Sequence, residues 1–81
     1  MTFSIDDLMD LLVAHVGLPA AARTDDPAKS FADVGLDSLA FLQFQSELDG
    51  RYGFELPSDR VQDYTFGDIV SFVSTQLEAA A

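Results

Sequence analysis

Cysteine is absent from the 81-residue sequence, and histidine occurs once, at His15. Disulfide bonds and thiolate metal sites are therefore excluded, and a lone histidine argues against a histidine-based metal centre, so we expect no metal site. No apolar run is long enough to span a bilayer. The N-terminus also lacks the basic stretch and uninterrupted apolar segment of a signal peptide. These absences lead us to expect a cytoplasmic protein.

Basic residues are scarce. Four Lys and Arg face 14 Asp and Glu, which gives a formal net charge of -10. Such a surface repels nucleic acid and anionic membranes, so we expect neither as a partner. It attracts basic protein surfaces, although solubility alone would also explain the acidity.

The apolar content is ordinary for a small folded domain. The hydrophobic fraction is 48% and includes seven phenylalanines, so a core can form without disulfide or metal support. A chain of this length forms one domain. We therefore expect a single monomeric domain over residues 1–81.

The first helix is predicted to begin after Ser4, which can cap it, with Asp6 and Asp7 in the positive first turn. Gly17 and Pro19 are expected to end it. For His15, in its last turn, we favour a surface or capping role over a catalytic one. The apolar residues at helical spacing are Ile5, Leu8, Met9, Leu12 and Val16.

The second long helix is predicted to run from about Ser38 to Tyr52, with Gly53 as its C-terminal stop. Its apolar face includes one polar residue, Gln45. We interpret Gln45 as a partly exposed boundary residue, or alternatively as a polar group lining a space for a growing chain. Residues 17–37 form a long loop that Phe31, Val34 and Leu36 can hold against the core, with one short helical turn over 30–33.

The last helix is predicted to begin at Thr65, which with Asp68 resembles a capping box. A short third helix is expected around Val61. Because no stretch alternates apolar and polar residues, we expect no sheet. The prediction is an all-α four-helix bundle with three long helices and one short one, whose core candidates are Leu8, Leu12, Phe31, Phe44, Leu48, Ile69, Phe72 and Val73.

The segment from Asp33 to Ala40 is the most informative part of the chain. A glycine-containing turn delivers the Ser38 hydroxyl to the N-terminus of a helix, at or next to its N-cap. Unpaired backbone N–H groups and a partial positive charge make that place suitable for a phosphodiester. Asp37 could help hold a cation for an incoming enzyme. The alternative is that both residues are merely helix caps.

The run Gly35-Leu36-Asp37-Ser38-Leu39 resembles the phosphopantetheine attachment motif of carrier proteins, Gly-x-Asp-Ser-Leu. The resemblance extends to residues 52–57 and to the Thr65-Phe66 helix start. It implies an acyl carrier four-helix bundle and a carrier, not an enzyme. A phosphopantetheinyl transferase would attach the arm from coenzyme A to Ser38, flanked by Asp37 and Leu39, and the arm would hold acyl groups as thioesters.

Within that family the sequence looks most similar to discrete carriers of type II polyketide synthases, which implies a role in polyketide antibiotic biosynthesis. Ketosynthase and acyltransferase-type enzymes would then bind mainly to the second helix. The family usually has Glu where this chain has Gln43, which leaves Glu47 and Asp49 as the steering acids of that helix. The docking candidates are Leu39, Ala40, Gln43, Ser46, Glu47 and Asp49.

Other functions remain as alternatives. Within the carrier class these are a fatty acid carrier, a starter-unit carrier and, disfavoured by the strong charge, a peptidyl carrier. A hydrolase built on Ser38 and His15 is disfavoured because the Gly-x-Ser-x-Gly elbow and its sheet are missing. An unmodified acidic interaction domain would share the charge and fold, whereas a calcium sensor lacks its Asp-rich loop.

Overall fold

The computed structural model describes residues 3–56 and 64–80, and this part of the chain is helical, without a β-strand. The short third helix predicted around Val61 lies outside the described residues. None of the described helices is long and apolar enough to cross a membrane. The elements are α1 (Ile5–Leu11) continuing into a π-helical turn (Leu12–Val16), short 3-10 turns at Ala20–Ala22 and Ala32–Val34, α2 (Ser38–Tyr52) and α3 (Phe66–Ala80).

Local signals set both ends of the first helix, as predicted. The Asp7 N–H donates to Ser4 Oγ at 3.2 Å, and the Ser4 N–H donates to the Asp7 carboxylate at 2.9 Å. This reciprocal pair satisfies two N–H groups at the start of the helix. At the other end Gly17 adopts φ 89°, and the Leu12 carbonyl accepts the N–H groups of both Gly17 and Leu18.

The core joins all three long helices, and most of its members were predicted. Seven of the eight candidates are buried, whereas Phe72 is only half-buried. Its ring lies at the margin of the core, 6.1 Å from that of Phe54. Further buried aromatic residues were not among the core candidates, namely Phe3, Tyr64, Phe66 and Phe41, although Phe41 shares the apolar face of the second helix by its spacing.

The long loop is attached to the start of α3 by backbone hydrogen bonds. The Phe66 N–H donates to the Lys29 carbonyl at 2.8 Å, and the Gly67 N–H donates to the Pro27 carbonyl at 2.9 Å. Gly67 permits this approach, because a Cβ there would lie 3.0 Å from Pro27 Cβ. The predicted capping box is confirmed just beside these contacts, since the Thr65 and Asp68 side chains each accept the other residue's N–H.

Gln45 is buried, so its interpretation as a partly exposed boundary residue is wrong, whereas the alternative that it lines a space for a growing chain stays a prediction. Only 6% of it is exposed, and its amide pairs with the backbone of Leu56. The side-chain Nε2 donates to the Leu56 carbonyl at 2.7 Å, and the Leu56 N–H donates to Gln45 Oε1 at 2.8 Å. Its role is therefore to hold the chain that leaves α2 against that helix.

Replacing Gln45 with Leu is expected to destabilise the fold. The change leaves the N–H and carbonyl of Leu56 buried without partners, and each such loss costs about 1–3 kcal/mol. Urea unfolding should show a loss of free energy of unfolding of about 2 kcal/mol or more. Gln43→Leu, the same change at an exposed position of α2, should stay within about 0.5 kcal/mol of the parent. Equal effects of the two changes would contradict this role.

Candidate attachment site at the start of the second long helix

Phe31 fixes the segment that leads to Ser38. Its ring is buried among three others, with centroid distances of 5.6 Å to Phe41, 5.7 Å to Phe44 and 6.0 Å to Phe66. Edge-on and tilted contacts at these distances are favourable for aromatic rings. The chain therefore approaches α2 from a point held by both α2 and α3.

A left-handed glycine then redirects the chain toward the helix. Gly35 adopts φ 84° and ends the short 3-10 turn, a conformation that costs other residues more than glycine. The carbonyl of Phe31 accepts the N–H of Leu36 at 2.8 Å, and that of Ala32 accepts the N–H of Gly35 at 3.1 Å. The left-handed turn therefore explains why a glycine stands at this position of the motif, whether or not a group is bound to Ser38.

Asp37 is the N-cap of α2, and Ser38 is its first helical residue. Asp37 has extended backbone angles, and its Oδ1 accepts the Ala40 N–H at 3.0 Å. Of the two positions that the sequence left open for Ser38, the structure shows the one next to the cap. Ser38 is exposed, and its hydroxyl is not needed to cap the helix.

The surroundings of Ser38 suit a covalently attached phosphodiester. Ser38 and Leu39 lie in the first turn, where backbone N–H groups have no intrahelical carbonyl partner and the helix dipole is positive. One oxygen of Asp37 is engaged by the Ala40 N–H. In residues 3–56 and 64–80 no cluster of three or more His, Asp or Glu is arranged to hold a metal ion.

The predicted docking residues do not all lie on the surface. Leu39, Gln43, Ser46 and Asp49 are exposed, whereas Ala40 is only 6% exposed and packs into the core. Ala40 therefore cannot supply the exposed apolar contact expected of it. Spacing missed Leu42, which is 60% exposed, close to the 61% of Leu39. Its signal was available, since Leu42 follows Leu39 by three residues and helical neighbours at that spacing share a face.

Glu47 is half-buried and paired. His15 Nδ1 lies 2.9 Å from Glu47 Oε1, and His15 Nε2 lies 2.8 Å from Arg51 Nη2. Because guanidinium only donates, Nε2 must accept, and the proton of a neutral imidazole is on Nδ1. His15 thus fastens the end of the first helical segment to α2, in keeping with the surface role favoured for it.

The structure does not bring His15 to Ser38. Glu47, the residue that His15 contacts, is nine positions after Ser38 on the same helix, which corresponds to roughly 13 Å at helical rise. The hydrolase alternative needs a base within hydrogen-bond reach of the nucleophile, and His15 does not provide one here.

The chain is similar to known proteins over most of its length. A family model described as a phosphopantetheine attachment site matches residues 6–73. An acyl carrier protein of Thermobifida fusca (strain YX) is 31% identical over 71 residues, covering 85% of this chain and 87% of the relative. The polyketide synthase GfsA of Streptomyces halstedii is 38% identical over 60 residues, which cover 70% of this chain but 1% of that protein. No solved structure matches significantly.

Because Asp37 caps the helix and Ser38 does not, substitutions at these two residues should change the free energy of unfolding by different amounts. Asp37→Ala removes the side-chain cap and should lower the free energy of unfolding by about 0.5–2 kcal/mol. Asp37→Asn keeps a good cap, so its free energy of unfolding should fall much less. Ser38→Ala should be nearly neutral, because the exposed hydroxyl makes no capping bond. Urea unfolding of the three variants tests this prediction. If Ser38→Ala lowered the free energy of unfolding more than Asp37→Ala does, the assignment of the cap to Asp37 would be contradicted.

Proposed function

Because this chain belongs to the phosphopantetheine-attachment family of acyl carrier proteins, we propose that Ser38 holds the arm and that the loaded chain carries intermediates of a type II polyketide pathway. The observation that carries the assignment is the exposed Ser38 hydroxyl at the first helical position, directly after the Asp37 cap. Serines elsewhere in the chain do not combine this motif with a helix start.

The residues around Ser38 fit the attached group. When bound, phosphopantetheine supplies a terminal thiol that holds an acyl group as a thioester. The exposed hydroxyl is accessible to a transferase, and the first turn of α2 favours the negative phosphodiester. Asp37 holds the start of the helix, and the Gly35 turn and the Phe31 ring hold the segment before it. Together they keep the attachment point in a fixed position while the arm moves.

The polyketide assignment rests on sequence likeness. Residues 37–42 and 51–59 look like discrete polyketide carriers, and a segment of a polyketide synthase is among the relatives. The partners proposed are a phosphopantetheinyl transferase and ketosynthase and acyltransferase-type enzymes, which would meet a monomeric carrier in the cytoplasm. A fatty acid carrier is the second candidate, because an acyl carrier protein matches most of both chains.

Treatment with a phosphopantetheinyl transferase and coenzyme A should add one arm to the parent chain and none to Ser38→Ala. Ser46→Ala is the matched control, because Ser46 is also exposed and lies on the same helix, and it should be modified fully. Intact-protein mass spectrometry measures the result. If Ser38→Ala were fully modified, the arm would be attached to another residue. If the parent chain were not modified, the proposed carrier role would be wrong.

The pathway is tested by the cargo. The holo chain, loaded with malonyl groups, should support chain extension by a type II polyketide ketosynthase more efficiently than by the ketosynthase of fatty acid synthesis. The mass of the acyl groups released from the arm reports the products. The reverse preference would assign the chain to fatty acid synthesis while leaving Ser38 as the attachment point.

A further inference from the structure

One imidazole joins the end of the first helical segment to the end of α2 through two opposite contacts. His15 Nδ1 lies 2.9 Å from Glu47 Oε1, and His15 Nε2 lies 2.8 Å from Arg51 Nη2. The two partners are four residues apart on α2 and so share a face. Because the guanidinium can only donate, the contact with Arg51 requires a neutral ring whose Nε2 carries a lone pair.

The backbone that carries His15 is fixed, whereas its side chain is accessible. His15 lies on the π-helical turn Leu12–Val16, and both end residues of that turn are buried. Turns of this kind are rare and are frequently found at functional sites. The His15 side chain is 41% exposed, so the ring can exchange a proton with solvent without any movement of the helix.

The acids that face the ring from its own element already have partners. Asp7 and Asp10 line the same cleft as His15 and Arg51, which has a volume of about 440 Å³. Asp7 accepts the N–H of the N-cap residue of α1, and Asp10 accepts from the Arg23 guanidinium at 2.9 Å. Among the described residues, the side-chain contact that holds Arg51 is the one to His15.

Protonation of the ring has opposite effects on its two contacts. A proton on Nε2 removes the lone pair that Arg51 needs and sets two positively charged donors against each other. The contact with Glu47 becomes a charge-assisted hydrogen bond between an imidazolium and a carboxylate, which is stronger than a neutral one. Histidine is the side chain that ordinarily changes its charge between about pH 5 and pH 8.

We propose that His15 is a pH-sensitive latch, which holds Arg51 when the ring is neutral and releases it when the ring is protonated, while Glu47 stays bound in both states. One carboxylate, one guanidinium and a neutral ring sum to no net charge, so protonation leaves one positive charge at the end of α2 that is farther from Ser38. The latch is a property of the unmodified chain and does not depend on the proposed carrier function.

Nitrogen NMR of the labelled, unmodified chain between about pH 8 and pH 5 tests the latch. At the upper pH the ring nitrogen shifts should show the proton on Nδ1. As the ring takes its second proton, the order parameter of Arg51 Nε should fall from about 0.8 to about 0.6 or lower. Arg23 is the internal control and should keep its order throughout, because its partner is a carboxylate and not the ring.

His15→Gln is the matched variant, since its amide offers one donor and one acceptor but takes no proton in this range. Arg51 should therefore stay ordered at both ends of the range in His15→Gln. In His15→Ala, which offers neither group, Arg51 should be mobile at both ends.

Three results would overturn the proposal. The first is a neutral ring protonated on Nε2, and the second is an Arg51 order parameter that does not follow the titration of the ring. The third is the same fall of that order parameter in His15→Gln as in the parent, which would show that another group drives the change. Circular dichroism should show unchanged helicity over the range, because the buried ends of the π-helical turn keep their packing.

Discussion

The burial of one side chain, Phe31, determines where the attachment segment begins. Its ring contacts rings of both α2 and α3, while its carbonyl accepts the N–H groups of Val34 and Leu36 and so closes the turn before Ser38. Side chain and backbone of the same residue therefore connect the core to the site. Moving the ring would move the turn, the Asp37 cap and the serine with it, since only five residues lie between Phe31 and Asp37.

Polar side chains hold the connecting segments through hydrogen bonds to the backbone, in addition to the packing of the aromatic core. Gln45 binds the backbone of Leu56, and the Ser30 and Asp33 side chains accept each other's N–H groups at the start of the short turn before Gly35. In the described part of the chain, no buried side-chain nitrogen or oxygen lacks a partner. A buried amide costs stability unless it is satisfied, so Gln45 is tolerated in the core because Leu56 presents both a donor and an acceptor. The same pairing explains why an apolar residue would not be equivalent there.

Features set by neighbouring residues could be predicted from the sequence, whereas features set by distant residues could not. The caps at Ser4, Asp37 and Thr65 and the stop at Gly53 follow from residues that act within a single turn. The pairing of Gln45 with Leu56 spans eleven residues, and that of His15 with Arg51 spans 36; neither spacing belongs to one helix. Ala40 was wrongly expected on the surface, and Leu42 was left out of the docking candidates, because a small rotation of the helix moves a residue between core and surface. Asp37 and Ser38 are both good caps, so the pattern left the choice between them open.

Total charge and local charge act at different distances in this molecule. The net charge of -10 creates a field that attracts a basic protein from outside the contact zone, although salt screens it over about 8 Å at physiological ionic strength. Residues 38–46 at the start of α2 carry no Asp, Glu, Lys or Arg and add nothing to this field. Since electrostatic attraction mainly changes association rates, acids anywhere on the surface suffice to steer an encounter.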